Sequence, residues 1–498
     1  MADASAVPAM FRANTARDGT YRAPNPLRLV GARWAFETHG TVFSAPAVAG
    51  DLVCFGGRDR HVYAIDFAAG RVRWRRTLPH GTSSSPAVVA DTVYIGGEDG
   101  GCYAFDLATG DVRWRFEAGL PIASSPAVAD DVVYVGSGGA RPGQRGGCLY
   151  ALARATGHER WRVRASGGFY SSPAVARGVV VCGSRDGRVY AVDAASGQVR
   201  WTFATGGEVL STPAIGVSPT RDTEVVYIGS NDGRLYALAL ATGERLWACE
   251  TARALLDASP AVAAGVVALG GKDGVLRVLD ADTGAERWRV RRTTETEPHT
   301  FSAPTVAGDV LLAGCSDGTF TAWALQTGRQ LWAFTAPTSV WTSACVVGNA
   351  VCVGSGSDCR VYLLSTAEPD RPRPARCAWD AATFVALMRD LAPALALDYS
   401  ADSVAALERF IGERFDPPGA RSADDRFAYG LGCYLGEVIV RTLGGTWDPA
   451  GEPCVRNVGG IETLFPLDRA RRRLAEGPEA SLVAFLAAVT RYATGKPR

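Results

Sequence analysis

One sentence of sixteen residues returns again and again along this chain. It reads "DGGCYAFDLATGDVRW" at Asp99–Trp114, "DGRVYAVDAASGQVRW" at Asp186–Trp201 and "DGRLYALALATGERLW" at Asp232–Trp247. A second marker, Ser-x-Pro followed by small and β-branched residues, begins at residues 44, 84, 124, 171 and 211. It continues in altered form at 258, 302 and 342. Both markers recur about every 40–47 residues, the period of a four-stranded propeller blade. Such a unit cannot bury both its faces alone, so each copy requires a neighbour on either side.

Within a unit the residues specify four strands. In the second unit "SPAVA", "DTVYIGG", "GCYAFDL" and "DVRWRFE" are strands A to D. β-Branched and alternating residues suit a pleated, half-buried surface, and Asp, Asn and Gly between them supply the positive φ of tight hairpins. Eight A strands are present, but the last unit ends at its C strand, "RVYLLS" at 360–365. A spare Trp-bearing D strand, "GARWAFE" with Trp34, stands near the start. Joining the two closes a ring of eight blades and removes two open sheet edges.

"AxDxxTGxxxW" preceded by "GSxDGxxYA" resembles the repeat of the PQQ-like, quinoprotein-alcohol-dehydrogenase-like β-propellers, which include BamB-like proteins. "FRANTARDGTY" at 11–21 is similar to the segment that often precedes their first blade. The resemblance covers residues 11–366. It implies inter-blade docking by Trp34, Trp74, Trp114, Trp161, Trp201, Trp247, Trp288 and Trp332. For a true quinoprotein it also implies PQQ and calcium at the channel mouth, held by a vicinal Cys-Cys pair, a stacking Trp, and Glu, Asn and Asp ligands. The chain has no adjacent cysteines and no long blade insertion to build such a pocket. Asp99, Asp186, Asp232, Asp273 and Asp317 occupy equivalent hairpin turns in successive blades, which spreads them around the ring and suits turn stabilisation rather than one calcium ion. No hydrolase, dinucleotide or P-loop motif stands in a fitting context.

Strand order places the B–C turns and the D–A connections on one rim, and that rim is the varied one. The position before each strand-A marker reads Phe43, Ser83, Ala123, Tyr170, Leu210, Asp257, Phe301 and Trp341. Phe43, Tyr170, Asp257, His299, Phe301 and Trp341 are the candidate ligand-binding residues, expected to converge on the channel mouth. The competing reading has them merely plugging it. Asp257 and His299 could pair as acid and base, though spacing alone does not bring them together. Arg58, Arg60, Arg185 and Lys272 lend the rim positive charge, which Glu98 and the two glutamates of 291–301, Glu295 and Glu297, offset, giving a mixed solvated surface.

Lys plus Arg (52) nearly balances Asp plus Glu (51), so charge predicts neither nucleic acid nor an anionic membrane as partner. The first residues carry no apolar signal region, and no later run is long enough to cross a bilayer. Twelve cysteines without a CxxC pair suggest core residues in a reducing compartment. A cytoplasmic location and a monomeric propeller are expected.

After a Pro/Arg-rich linker the pattern turns helical. Asp380 and Asp402 are the expected N-caps, 424–445 a longer buried helix ending at a glycine pair, and two last helices flank Gly477-Pro478. This region resembles small bacterial α+β domains of no assigned activity. Glu437 lies within an apolar helix face, and Arg469, Arg471, Arg472 and Arg473 are expected on a solvated one.

The fold class expected is therefore all-β: an eight-bladed β-propeller of PQQ-like repeats closed by an N-terminal strand, plus a mainly helical α+β domain. The boundaries are 1–28 for an N-terminal extension, 29–366 for the propeller, 367–379 for the linker and 380–498 for the second domain. The function expected is binding or scaffolding through the varied rim, with an unknown protein or small ligand as partner, no catalytic residue, no metal and no cofactor. The alternatives are a PQQ-dependent dehydrogenase and a BamB-like outer-membrane assembly factor.

Overall fold

The computed structural model describes the chain except residues 1–8, 22, 24, 27, 140–145, 252–258, 293–299, 357, 367–383, 386–387, 389–394, 396, 416–424, 445, 448–454, 459–460, 465, 467–468, 471–472, 475–480 and 495–498. Two compact units are present, Met1–Ala367 and Glu368–Arg498. The proposed linker falls outside the described residues.

The first unit is a ring of eight blades, each an antiparallel four-stranded sheet, with Thr20–Tyr21 added in parallel as a fifth strand inside blade 7. Blade 1 comprises Ala47–Ala49, Leu52–Gly56, His61–Asp66 and Val72–Thr77 as strands A to D. Six more blades repeat that order, the seventh ending at Gln330–Thr335. Blade 8 takes Cys345–Val347, Ala350–Gly354 and Arg360–Ser365 from late in the chain and Gly31–Glu37 from its beginning. Trp34 stands opposite Leu363 and Phe36 opposite Val361, so an early segment latches a late one.

Position in the blade explains the residue pattern. B strands are buried on both faces between neighbouring blades and read as continuous apolar runs, such as LVCFG. D strands lie outermost and alternate, as in VRWRFE, where Trp114 is buried and the residues beside it exposed.

The repeated sentence works between blades rather than within one. Each D-strand indole donates its N–H to a carbonyl of the next blade: Trp34 to Phe67 at 2.9 Å, Trp74 to Leu107 at 2.7 Å, Trp114 to Arg154 at 2.8 Å and Trp161 to Ala194 at 3.0 Å. Trp201, Trp247 and Trp288 do the same to Leu240, Ala281 and Leu325. The ring then lies on the glycine of that next blade's C–D turn. A Cβ on Gly197, for example, would sit 2.7 Å from the Trp161 ring, and Gly197 has a φ of +76°. Glycine is thus required twice over, for its backbone and for the indole.

The B–C aspartates hold their own hairpins. Asp59, Asp186, Asp232 and Asp358 each accept from the tyrosine hydroxyl four residues on, at 2.6–2.7 Å. Arg277 replaces the tyrosine for Asp273, while Arg292 reaches Asp317.

The second unit has helices Ala401–Phe415, Asp425–Leu443 and Leu482–Thr494 around a buried apolar cluster, with an antiparallel sheet of Thr446–Trp447, Val455–Val458 and Ile461–Leu464. Helix Asp425–Leu443 ends at Gly444 with φ +77°, as the glycine pair predicts. Two expectations need correction. The first helix is capped by Ser400, whose hydroxyl accepts the N–H of Ser403 at 3.1 Å, while Asp402 sits in the first turn. Arg473 is buried, not solvated, because it pairs with Glu408, which also accepts the N–H of Leu482 at 2.6 Å. Asp380, Arg471, Arg472, Gly477 and Pro478 lie outside the described residues.

Candidate binding cup at the channel mouth

The Ser-x-Pro marker builds the inner wall of the ring. Its first hydroxyl accepts the N–H of the glycine that ends strand B of the same blade: Gly56 to Ser44, Gly136 to Ser124 and Gly354 to Thr342, at 3.1, 2.7 and 2.7 Å. Its middle residue links blades. The N–H of Ala45 donates to Ser85 Oγ at 2.9 Å, Ser85 to Ser125 at 3.0 Å and Ser125 to Ser172 at 2.9 Å. Ser172 then donates to Thr212 at 3.3 Å and Thr212 to Ser259 at 3.1 Å. These five hydroxyls form a chain around the axis through blades 2 to 6.

Residues 9–21 cross the channel against the innermost strands. Ala9 bridges Val88 of blade 2. The carbonyls of Thr15, Ala16, Asp18 and Gly19 accept from Val175, Ile215, Val262 and Val306 of blades 4 to 7. Thr20–Tyr21 runs parallel to Thr305–Ala307. Inner-strand N–H groups that a bare channel would leave to water are satisfied here by main chain.

Two arginines anchor this plug. The Arg17 guanidinium donates to the carbonyls of Pro173 at 3.1 Å, Ser125 at 3.0 Å, Pro126 at 2.6 Å and Phe11. Arg12 donates to the carbonyls of Arg17, Pro304 and Pro260. Burial works against both charges, pulling Arg12 down to about 10 and Arg17 to about 9, so both stay protonated at neutral pH. Burial also raises the Asp18 carboxyl against the pull of Asn14, Thr20 and Arg12.

Above the plug lies a cavity of about 230 Å³, with Phe11 among its lining residues. The five hydroxyls of the inner chain line it together with Phe43, Ser83, Leu210, Lys272, Thr300 and Trp341, among others. D–A connections and B–C turns share this rim: Arg58 N–H donates to Thr41, Glu98 to Gly81, Arg185 to Gly168 and Asn231 to Glu208.

The candidate residues separate on this geometry. Phe43 and Trp341 line the cavity, and Phe43 is 40% exposed with Arg58 5.6 Å from its ring centre. Phe301 lines it too but is only 3% exposed, since its ring packs edge-on to Trp323. Its role is wall rather than exposed anchor. Tyr170 is not among the lining residues; its hydroxyl donates to the Gly138 carbonyl at 3.2 Å and Arg185 covers its ring. Asp257 and His299 lie outside the described residues, so their pairing is untouched.

Rim charges mostly cancel: Arg58 pairs with Glu98 at 2.8 Å and Arg185 with Glu208 at 3.1 Å. Lys272 is exposed and has no carboxylate partner among the described residues. The described lining contains no carboxylate and no asparagine, and no cluster of three metal-ligating side chains occurs among the described residues. This lining does not fit the calcium ion that a quinoprotein site requires, because a hard divalent cation favours anionic oxygen ligands.

Arg12, Arg17 and the middle hydroxyls escaped the sequence reading. The hydroxyls had a signal, since the middle residue of Ser-x-Pro is Ser or Thr in blades 2 to 6. The arginines had none beyond lying in the segment before the first blade.

Comparison with known proteins agrees with this architecture. A family model described as outer membrane protein assembly factor BamB matches residues 31–118, 103–256 and 215–379. BamB of Shewanella oneidensis is 35% identical over 79 residues, 15% of this chain, and the match spans 19% of that relative's length. The structure of quinohemoprotein alcohol dehydrogenase from Comamonas testosteroni superposes with a TM-score of 0.64 at 15% identity, covering 73% of this chain and 81% of the other. BamB from Moraxella catarrhalis gives 0.55 at 20% identity, covering 68% and 98%. At such identities the likeness to both structures is one of fold. The chain belongs to the PQQ-like propeller family represented by the BamB family model.

Proposed function

We propose that this chain is a non-catalytic binding protein whose propeller presents the axial cup, rimmed by variable loops, to a small ligand. The observation that carries the reading is the cup itself: about 230 Å³ of concave space, polar on its wall, aromatic at Phe43 and Trp341, and floored by a dedicated segment of the chain. Concave sites of this kind, with apolar anchors and a few convergent polar groups, are where ligands bind. A location in the cytoplasm and a single-copy propeller complete the proposal.

The test is equilibrium dialysis of the purified chain against a metabolite extract, with retained compounds identified by mass spectrometry. A retained compound that is lost on Trp341→Ala supports the reading. Turnover of a substrate, or retention of nothing, overturns it.

A role as outer-membrane assembly factor, the activity that gives the family model its description, is favoured by the extent of the family match. Fractionation of cells expressing the tagged chain separates the two readings, since that role requires the protein at the envelope. A PQQ-dependent dehydrogenase fits least, given the donor set of the cup.

A further inference from the structure

Building on the binding reading above, we infer that the cup is an oxyanion site, in which Ser85, Ser125, Ser172, Thr212, Ser259 and Lys272 receive a carboxylate or phosphate group.

The five hydroxyls are 3–5% exposed, and each oxygen already accepts a backbone N–H from the preceding blade. What each still has to offer is its own proton. Among the described residues none of these five hydroxyls donates a hydrogen bond. A hydroxyl that accepts a hydrogen bond becomes a stronger donor, because the bonds in such a chain polarise one another. An arc of five buried donors lining one cavity, none of them bonded to an acceptor among the described residues, calls for an acceptor-rich guest, and charged acceptors give the stronger bonds.

Among the described lining residues the one charged side chain, Lys272, is positive. Arg58 and Arg185 are neutralised by Glu98 and Glu208, and Lys272 has no carboxylate partner among the described residues. Arg17 bonds the carbonyl of Ser125, itself one of the five, at 3.0 Å, and its four acceptors are all carbonyls. Its positive charge therefore reaches the cup uncancelled by a bonded carboxylate. A neutral sugar, which must accept and donate alike, would find donors in excess. Phe43 and Trp341 at the rim would cover the organic part of a larger anion.

Calorimetric titration of the full chain with sodium phosphate, phenyl phosphate and acetate, at constant ionic strength, tests this. Saturable binding of at least one is expected. Lys272→Gln, which alters an exposed side chain and spares the fold, should weaken it about tenfold, the loss of one charge-assisted bond. Ser172→Ala should weaken it further, with circular dichroism confirming a folded chain; should that variant unfold, Lys272→Gln carries the test. Tighter binding of phenyl phosphate than of phosphate identifies a phosphate ester as the source, and preference for acetate identifies a carboxylate. No saturable binding of any anion, or an affinity unchanged by Lys272→Gln, overturns the assignment. If the anions fail while dialysis retains a neutral ligand dependent on Trp341, the oxyanion assignment falls alone.

Discussion

Trp332 of the seventh blade donates its indole N–H at 2.6 Å to the carbonyl of Pro26, 306 residues earlier in the chain. In the other seven blades the indole meets the next blade's C–D turn. Blade 8 has no such turn, because its D strand comes from the start of the chain. Pro26 stands in for it, so the segment before Trp34 completes the last inter-blade joint as well as crossing the channel.

Trp332→Phe keeps the ring but leaves a carbonyl in this joint without its donor. A loss of about 1–2 kcal/mol is expected, the cost of one buried unsatisfied group. Urea unfolding followed by circular dichroism measures it. Removing residues 1–28 should cost more and shift Trp332 fluorescence to longer wavelength, since both partner and cover disappear.

Gly197 and Gly178 permit a cleaner separation of causes. Both have φ near +70° (+76° and +70°), but a Cβ at Gly197 meets the Trp161 ring at 2.7 Å while one at Gly178 meets nothing within 4 Å. Gly178→Ala should therefore cost only the backbone term, about 1 kcal/mol. Gly197→Ala should cost about 3 kcal/mol, because the indole must shift. Equal losses in thermal unfolding would mean that the Trp contact contributes nothing.

How much of this was open to sequence reading depends on the range of each interaction. The blade count and the closure by Trp34 were legible, since period-2 patterning and a missing D strand are properties of the strand itself. That Gly197 serves Trp161 rather than Trp201 was not, because the sixteen-residue repeat hides which neighbour each residue faces. That Tyr170 stands outside the cavity lining was hidden for a related reason: its place in the repeat matches that of Phe43 and Trp341, but its hydroxyl bonds the Gly138 carbonyl. Arg12 and Arg17 satisfy carbonyls from distant blades, which no local pattern announces.

Arg17→Ala would leave four carbonyls around the axis without a donor. At least about 3 kcal/mol should be lost, since breaking a buried charged network on one side carries such a cost. Arg17→Lys should rescue little, because an ammonium cannot present the planar fork that reaches them. Limited proteolysis should then cut within residues 9–21 while the blades resist.

Acid should loosen the C–D turns. Asp106 is held at about 2 by hydrogen bonds from Arg113 and from the backbone and hydroxyl of Thr109, and Asp193 is likewise lowered by Arg200 and Ser196. Both carboxyls bind protons less readily folded than unfolded, where 3.8 is the ordinary value. Their contribution is thus fully present above about pH 4 and is lost as pH falls toward 2. Asp193→Asn keeps an acceptor for the turn N–H groups but removes the charge, so its stability should fall less steeply over that window. A slope identical to that of the parent chain would exclude Asp193 from the acid transition.

Glu408 gives the second unit its own test. Its carboxylate meets buried Arg473 and accepts the N–H of Leu482 at the start of the last helix, so one side chain neutralises a cation and caps a helix. Glu408→Gln keeps an acceptor for Leu482 but leaves Arg473 charged and without this carboxylate in the core, a change expected to cost about 3 kcal/mol. Because the joints of the propeller are internal to its own unit, unfolding of the full chain should show the α+β transition moved to lower urea and the propeller transition unmoved. A parallel shift of both transitions would show instead that the two units unfold as one.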